Sequence, residues 1–142
     1  MSRQTSLTAA TFGVALLLLL NVQPASADDR SDVAAAISAQ LQAFRADDAA
    51  AAYTHAAPNI TNLFPTPEQF MSMVRRGYTQ VYRAGNVTFG PMTLEGVGFR
   101  QEVFLTDPEG RNWIASYTLA RQPDGSMKIT GVQIRESDDL SA

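Results

Sequence analysis

Four segments in the second half of the chain are rich in β-branched and aromatic residues: Val87–Leu94, Val97–Thr106, Arg111–Arg121 and Met127–Arg135. The residues between them are typical of turns: Glu95-Gly96, Asp107-Pro108-Glu109-Gly110 and Pro123-Asp124-Gly125-Ser126. Connections this short join antiparallel neighbours, because a parallel crossover needs about a dozen residues or more. The sequence therefore predicts an antiparallel meander of about four strands, and this constrains the fold more than any other feature.

The fourth segment changes phase part-way along. Met127 and Ile129 alternate in one phase, whereas Val132 and Ile134 alternate in the other, and Gly131 lies at the change. One extra residue in a strand produces such a change, and glycine is common at these positions. We therefore predict a β-bulge at Gly131 that bends the strand and curves the sheet.

The residues before position 86 favour helices. An apolar stripe with helical spacing predicts a first helix over residues 31–46, with Ser31 as its N-cap. Gln40, Gln42 and Arg45 lie off this stripe. The stripe consists of Val33, Ile37, Leu41 and Phe44. We expect it to pack against the sheet.

Two further helices are predicted before the sheet. Asp47 can cap a short alanine-rich helix through residues 49–55, which Ala57-Pro58 ends. Thr66-Pro67-Glu68-Gln69 is a start signal in which Gln69 closes a capping box. That third helix ends near Arg75-Arg76-Gly77 or extends through Tyr78–Tyr82. The predicted fold is α+β, with N-terminal helices packed on a curved antiparallel sheet of about four strands.

The beginning of the chain has the order of a secretory signal peptide. Arg3 lies in a polar start, Ala9–Leu20 is an apolar run of twelve residues, and Ala25-Ser26-Ala27 is a small-x-small cleavage site. A run of twelve is too short to cross a bilayer, which takes about 20 apolar residues. We predict a leader over residues 1–27, one domain over 28–135, a flexible tail over 136–142, and an exported protein without a stable membrane anchor.

Composition excludes several kinds of site. The chain has no cysteine and a single histidine, so a cysteine-ligated zinc site, a thiol nucleophile, a disulfide and a two-histidine zinc site are all excluded. The net charge is −3, and Arg75-Arg76 is the only basic pair, so nucleic acid is not an expected partner. We expect neither a metal nor a cofactor.

Hydrophobic anchors and turn residues resemble those of an uncharacterised bacterial family, the domain of unknown function 4864. They comprise Ile37, Leu41, Phe44, Asp47-Asp48, Tyr53, Pro58, Phe64, Phe70, Tyr78 and Tyr82, followed by Asp124-Gly125, Ile129 and Gly131-Val132. More broadly, the chain resembles the ketosteroid isomerase and nuclear transport factor two superfamily. The resemblance implies a cone-shaped α+β roll whose sheet wraps the helices around a pocket. That superfamily includes isomerases, dehydratases, cyclases, binding domains and adaptors, so the fold does not decide the activity.

Catalytic residues of ketosteroid isomerases cannot be transferred to this chain. Those enzymes combine an acidic base with a tyrosine and a protonated aspartate, whereas the strands here hold Glu102 as their mid-span acid and no mid-strand aspartate. His55 and Tyr53 are the candidate catalytic residues, His55 as a general base beside Asp47 or Asp48. His55 also has a structural explanation, because a cationic histidine stabilises the C-terminal end of a helix.

Paired charges allow two further interpretations. Asp47-Asp48 could bind a cation or act as acid and base, but helix capping also explains it. Arg75-Arg76 could bind an anion, but cations also stabilise the C-terminal end of a helix.

Aromatic residues are numerous enough to line a pocket or to fill a core. The candidate ligand-binding residues are Tyr53, Phe70, Tyr78, Tyr82, Trp113 and Tyr117. Our leading hypothesis is a non-enzymatic exported domain that binds a small apolar ligand or a protein partner. The alternatives are an isomerase- or hydrolyase-type enzyme, and a structural module that forms a homodimer through the outer face of the sheet.

Overall fold

The computed structural model describes Gly13 and residues 25–138. The predicted leader lies outside the described residues up to position 24, apart from Gly13, and the predicted tail lies outside them from position 139. No helix in the described part of the chain is long and apolar enough to span a bilayer.

Within these residues helices come first and strands follow, as the sequence predicts. The helices are α1 (Ala27–Arg45), α2 (Ala49–Tyr53), α3 (Pro58–Thr61), α4 (Pro67–Gly77) and α5 (Thr79–Tyr82). The strands are β1 (Gly85–Glu95), β2 (Gly98–Thr106), β3 (Asn112–Arg121) and β4 (Met127–Glu136). They form one antiparallel sheet in the order β1-β2-β3-β4, so the predicted meander is confirmed.

The bulge in β4 is confirmed. Thr118 pairs with Gly131 and Leu119 pairs with Ile129, so Thr130 is the additional residue. The bulge brings Ile129 and Val132 onto the same face of the sheet, because it shifts the alternation by one residue. This face carries the buried residues Val103, Ala115, Tyr117, Leu119 and Ile129, and it is the face that the helices cover.

The first helix begins earlier than predicted. Ser26 is its N-cap, and the Ser26 side chain accepts a hydrogen bond from the Asp29 N–H while the Asp29 carboxylate accepts one from the Ser26 N–H. This capping box lies at the predicted cleavage site, so the prediction of Ser31 as the N-cap was wrong. Arg121 holds the same turn on the sheet through Asp29, at 2.8 Å, and Asp32, at 3.0 Å.

Cleavage after Ala27 would remove this cap. We therefore expect a chain that begins at Asp28 to melt a few degrees below one that begins at Ala25, because the loss of a serine N-cap costs about 1 kcal/mol and a small domain shifts by several degrees per kcal/mol. Differential scanning calorimetry of the two chains tests this. Equal melting temperatures would show that the Arg121 contacts alone hold the first turn.

The second helix differs from the prediction at both ends. Asp48, not Asp47, is the N-cap, and Asp47 adopts a left-handed backbone conformation with φ of 52°. The helix ends at Tyr53 because the following residues pair with the edge of β4: the Ile129 N–H donates to the His55 carbonyl and the Ala57 N–H donates to the Ile129 carbonyl, both at 2.8 Å. The short α3 that follows was not predicted.

The start of α4 agrees with the prediction in part. Thr66 caps it by accepting from the Gln69 N–H at 3.2 Å, and Pro67 occupies the first turn. In this described segment the reciprocal bond from the Gln69 side chain is not formed, so the capping box is incomplete. Tyr78, with φ of −135°, leaves the helical conformation, and residues 79–82 therefore form the separate helix α5.

Candidate functional site

A cavity of about 370 Å³ lies between the helices and the covered face of the sheet. Helices α1, α3 and α4 form one side of it, and Tyr117, Ile129, Gly131 and Val132 form the other. Leu63, which is 74% exposed, stands at its mouth. All the residues that line it are apolar or glycine, apart from Gln40, Tyr78 and Tyr117. A volume of this order is enough for a small organic ligand.

Tyr117 contributes a buried phenol to the wall of this apolar cavity. Its side chain comes from the middle of β3 and is only 1% exposed, and within the described residues its Oη has no hydrogen-bond partner. Burial raises the pKa of Tyr117, so the phenol stays protonated. A buried hydroxyl without a partner is costly in the free protein, and a ligand oxygen in the cavity would supply the missing partner.

Gln40 is another polar side chain that lines the cavity. It is 5% exposed, and its Nε2 donates to the Ala52 carbonyl at 3.2 Å, which ties α1 to α2. The prediction that Gln40 lies off the apolar stripe was wrong. Gln40 lies three residues after Ile37 and four before Phe44, so it belongs to the same helix face, and this spacing could have identified it.

The six candidate ligand-binding residues do not share one location. Phe70, Tyr78 and Tyr117 line the cavity, while Trp113 lines a neighbouring groove together with Tyr78. Tyr53 and Tyr82 are not among the residues that line either one.

Tyr53 has a structural environment. Its hydroxyl donates to the Phe64 carbonyl at 2.6 Å and lies 3.3 Å from the Thr61 carbonyl, which fixes the chain after α3. Its ring packs on Phe70 with the ring centres 5.8 Å apart. The residue therefore supports the wall of the cavity from behind.

His55 lies elsewhere, in an open cleft beside Asp32, Ser126 and Lys128. Burial, and then the positive charge of Lys128, lower the pKa of His55. Asp48 accepts the hydrogen bond of a helix cap from the Ala51 N–H at 3.0 Å. In the described residues no hydrogen bond or ion pair joins His55 to Asp47, Asp48 or Tyr53, so the arrangement does not assemble the general-base site considered above.

Asp47 instead joins a cluster of charged and phenolic groups at the end of α4 and α5. Its carboxylate accepts from the Tyr82 hydroxyl and from Arg83 at 2.8 Å, and it lies 3.7 Å from Arg75. The pKa of Asp47 is lowered, mainly by the hydrogen bond from the Tyr82 hydroxyl and next by the one from Arg83. Partial burial opposes this effect by raising the pKa. Arg75 also donates to the Tyr82 hydroxyl at 3.1 Å. These contacts explain the left-handed backbone at Asp47, because they hold the connection after α1 against α5.

The outer face of the sheet is polar where Glu102 lies. Its Oε1 accepts from the Ser116 hydroxyl at 2.6 Å and its Oε2 accepts from Arg135 at 3.1 Å. Glu102 therefore faces away from the cavity. Phe104, 40% exposed, is on the same face, and a homodimer through this face stays a prediction.

Within residues 25–138 no three histidine, aspartate or glutamate side chains are close enough together to hold a metal ion.

Comparison with known families confirms the resemblance found in the sequence. The domain of unknown function DUF4864 matches residues 26–142 of the chain. The chain belongs to the DUF4864 family. No curated protein matches this DUF4864 chain.

Two solved structures are similar to the DUF4864 domain. One is Aln2 from a Streptomyces species, with 17% identity, a TM-score of 0.50, and 80% of this chain and 93% of that chain covered. The other is described as an NTF-2 like protein of unknown function from Burkholderia xenovorans, with 14% identity, a TM-score of 0.49 and coverages of 80% and 89%. The likeness to Aln2 concerns the fold alone.

Proposed function

We propose that this domain binds a small apolar molecule in the cavity, with an oxygen of the ligand bonded to the Tyr117 hydroxyl. The unpartnered, buried hydroxyl of Tyr117 carries the proposal, because Tyr117 lines an apolar cavity that is large enough for a ligand. If Tyr117 served only the core, the protein would be equally stable or more stable with phenylalanine at this position, since an unpaired buried hydroxyl is unfavourable. The candidate catalytic residues His55 and Tyr53 do not lie among the residues that line this cavity.

Decan-2-one and decane distinguish this proposal from simple hydrophobic binding. Both fit an apolar cavity, but only the ketone can accept a hydrogen bond. We expect decan-2-one to bind about tenfold more tightly than decane, which corresponds to one neutral hydrogen bond. Displacement of the fluorescent apolar probe 1-aminoanthracene measures both affinities.

Tyr117→Phe is expected to abolish the preference for the ketone while leaving the affinity for decane unchanged. Its melting temperature should equal or exceed that of the wild type, because the hydroxyl makes no bond in the free protein. Tyr53→Phe is the matched control. It removes the bond to Phe64, so it should lower the melting temperature by a few degrees and leave the ketone preference intact. A ketone preference that survives Tyr117→Phe would contradict the proposed role of Tyr117.

We also propose that the protein is exported with the loss of residues 1–27. The proposal is supported by the charged start, the apolar run and the small-x-small site. Intact mass spectrometry of protein from the periplasm of a bacterial host should give a chain that begins at Asp28. Full-length protein retained in the cytoplasm would contradict it.

A further inference from the structure

A second concavity continues from the cavity along the edge of β4. This groove has a volume of about 590 Å³ and runs between Gly77–Gln80, at the junction of α4 and α5, and residues 132–135 of β4, with Trp113 beside them. Tyr78 and Val132 border both the cavity and the groove. A ligand whose apolar part fills the cavity can therefore extend past these two residues into the groove.

Backbone groups of β4 face this groove. Ile129 points its N–H and C=O away from β3, because both are bonded to the segment after α2. Along an antiparallel strand every second residue points its N–H and C=O away from the neighbouring strand. The bulge adds one residue to this alternation, so the next residues of β4 that point these groups away from β3 are Val132 and Ile134. Beyond the ladder with β3, neither has a backbone hydrogen bond to any other part of the described chain. The edge thus offers N–H donors and C=O acceptors.

Gln80 adds an acceptor to the opposite wall. Its side chain lines the groove, and its Oε1 is turned inward, where it is buried and has no hydrogen-bond partner within the described residues. Rotation about the last side-chain bond turns Oε1 toward the groove. Arg135 also lines the groove and is 59% exposed, with Glu102 and Ser116 as its partners on the outer face. The groove therefore presents hydrogen-bond acceptors and donors side by side, next to an apolar cavity.

We propose that the groove binds a neutral amide group and that the ligand is an acyl amide whose apolar chain occupies the cavity. This inference rests on the proposed function of the cavity. An amide supplies an N–H for Gln80 Oε1 and a carbonyl for the N–H groups of the β4 edge, in one small planar unit. An ester lacks the donor. A carboxylate lacks it too and would place a negative charge against Gln80 Oε1, and the guanidinium of Arg135 is already paired with Glu102.

Three probes with the same chain length test the assignment: decanamide, methyl decanoate and decanoic acid. In displacement of 1-aminoanthracene from the wild-type protein, we expect decanamide to bind about tenfold more tightly than methyl decanoate, with decanoic acid weaker than the amide. Gln80→Met keeps the length of the side chain and removes the acceptor. It should lower the affinity for decanamide about tenfold and change that for methyl decanoate by less than about twofold.

The stability of the variant separates recognition from a structural role. Because Gln80 Oε1 has no partner in the free protein, Gln80→Met should not lower the melting temperature. Gln69→Met is the matched control, because Gln69 is exposed on α4 and outside the groove, and it should change no affinity.

The outcomes distinguish the two proposals. If methyl decanoate binds as well as or better than decanamide, or if Gln80→Met leaves the ratio of the two affinities unchanged, the amide assignment is wrong while the cavity proposal stands. If none of the three probes, nor decan-2-one, displaces 1-aminoanthracene, the proposed function itself is wrong.

Discussion

Asp107→Asn is expected to lower the melting temperature by about 10 °C, the largest stability effect that we predict. Asp107 is 6% exposed in the β2–β3 connection, and its carboxylate accepts four hydrogen bonds. Oδ1 accepts from the backbone N–H groups of Glu109 and Arg111, both at 2.9 Å. Oδ2 accepts from the Trp113 indole at 2.9 Å and from Arg111 Nε at 3.1 Å. Asparagine keeps one oxygen, but its amino group would face two donors.

The same substitution should change the response to acid. Burial raises the pKa of Asp107, but the bonds from Trp113 and the Arg111 backbone outweigh it, and the pKa lies below its ordinary value. A carboxylate with a lowered pKa stabilises the fold above its unfolded pKa, about 4, and this contribution is lost as the pH falls through the folded value. The difference in melting temperature between wild type and Asp107→Asn should therefore shrink below about pH 4.

Glu109→Gln is the control for this prediction, because Glu109 is an exposed acid in the same connection. It should leave the melting temperature within about two degrees of the wild type. Calorimetry from pH 7 to pH 3 measures all three proteins. If Asp107→Asn and Glu109→Gln change the melting temperature to the same extent, the carboxylate of Asp107 does not stabilise the β2–β3 connection, and other contacts fix the position of Trp113.

Val132→Trp is expected to weaken the binding of decan-2-one more than about 100-fold, the largest effect on binding that we predict. Val132 borders both the cavity and the groove, so an indole at this position would occupy the space that the apolar chain needs. Most of the binding free energy of an apolar ligand comes from the surface it buries, and a filled cavity leaves none to bury. Tryptophan is also well tolerated in strands, so the fold should persist.

Two further variants make this result decisive. Ile60→Trp fills the cavity from the opposite wall, on α3, and should weaken binding to a similar extent. Val97→Trp places the same indole on the fully exposed tip of the β1–β2 hairpin and should have no effect on binding. Binding that is unchanged in both Val132→Trp and Ile60→Trp would place the probe outside the cavity.

The strands could be predicted from the sequence because their signals are local. Gly96, Gly110 and Gly125, which take positive φ angles, lie in the three connections that were assigned as turns. The bulge was also predictable, because the phase of the apolar residues changes at Gly131 and both halves of β4 must face the core.

Features that depend on distant contacts were not predictable. The segment after Tyr53 leaves the helix because the edge of β4 offers it backbone hydrogen bonds, and these belong to residues more than 70 positions away. Asp107 was assigned only to a turn, since nothing local indicates that Trp113 would turn its indole N–H toward it. Tyr117 and Tyr53 carry the same hydroxyl, but only the three-dimensional structure shows that Tyr53 has a partner and that Tyr117 has none within the described residues.

Intermolecular nuclear Overhauser effects from bound decan-2-one test the cavity proposal most directly. We predict contacts to the methyl groups of Met73 and Val132, which line the cavity, and to the ring of Tyr117 near the carbonyl end of the ketone. Contacts to Val97 at the exposed hairpin tip, or to Phe104 on the outer face, with none to Met73 and Val132, would contradict the account.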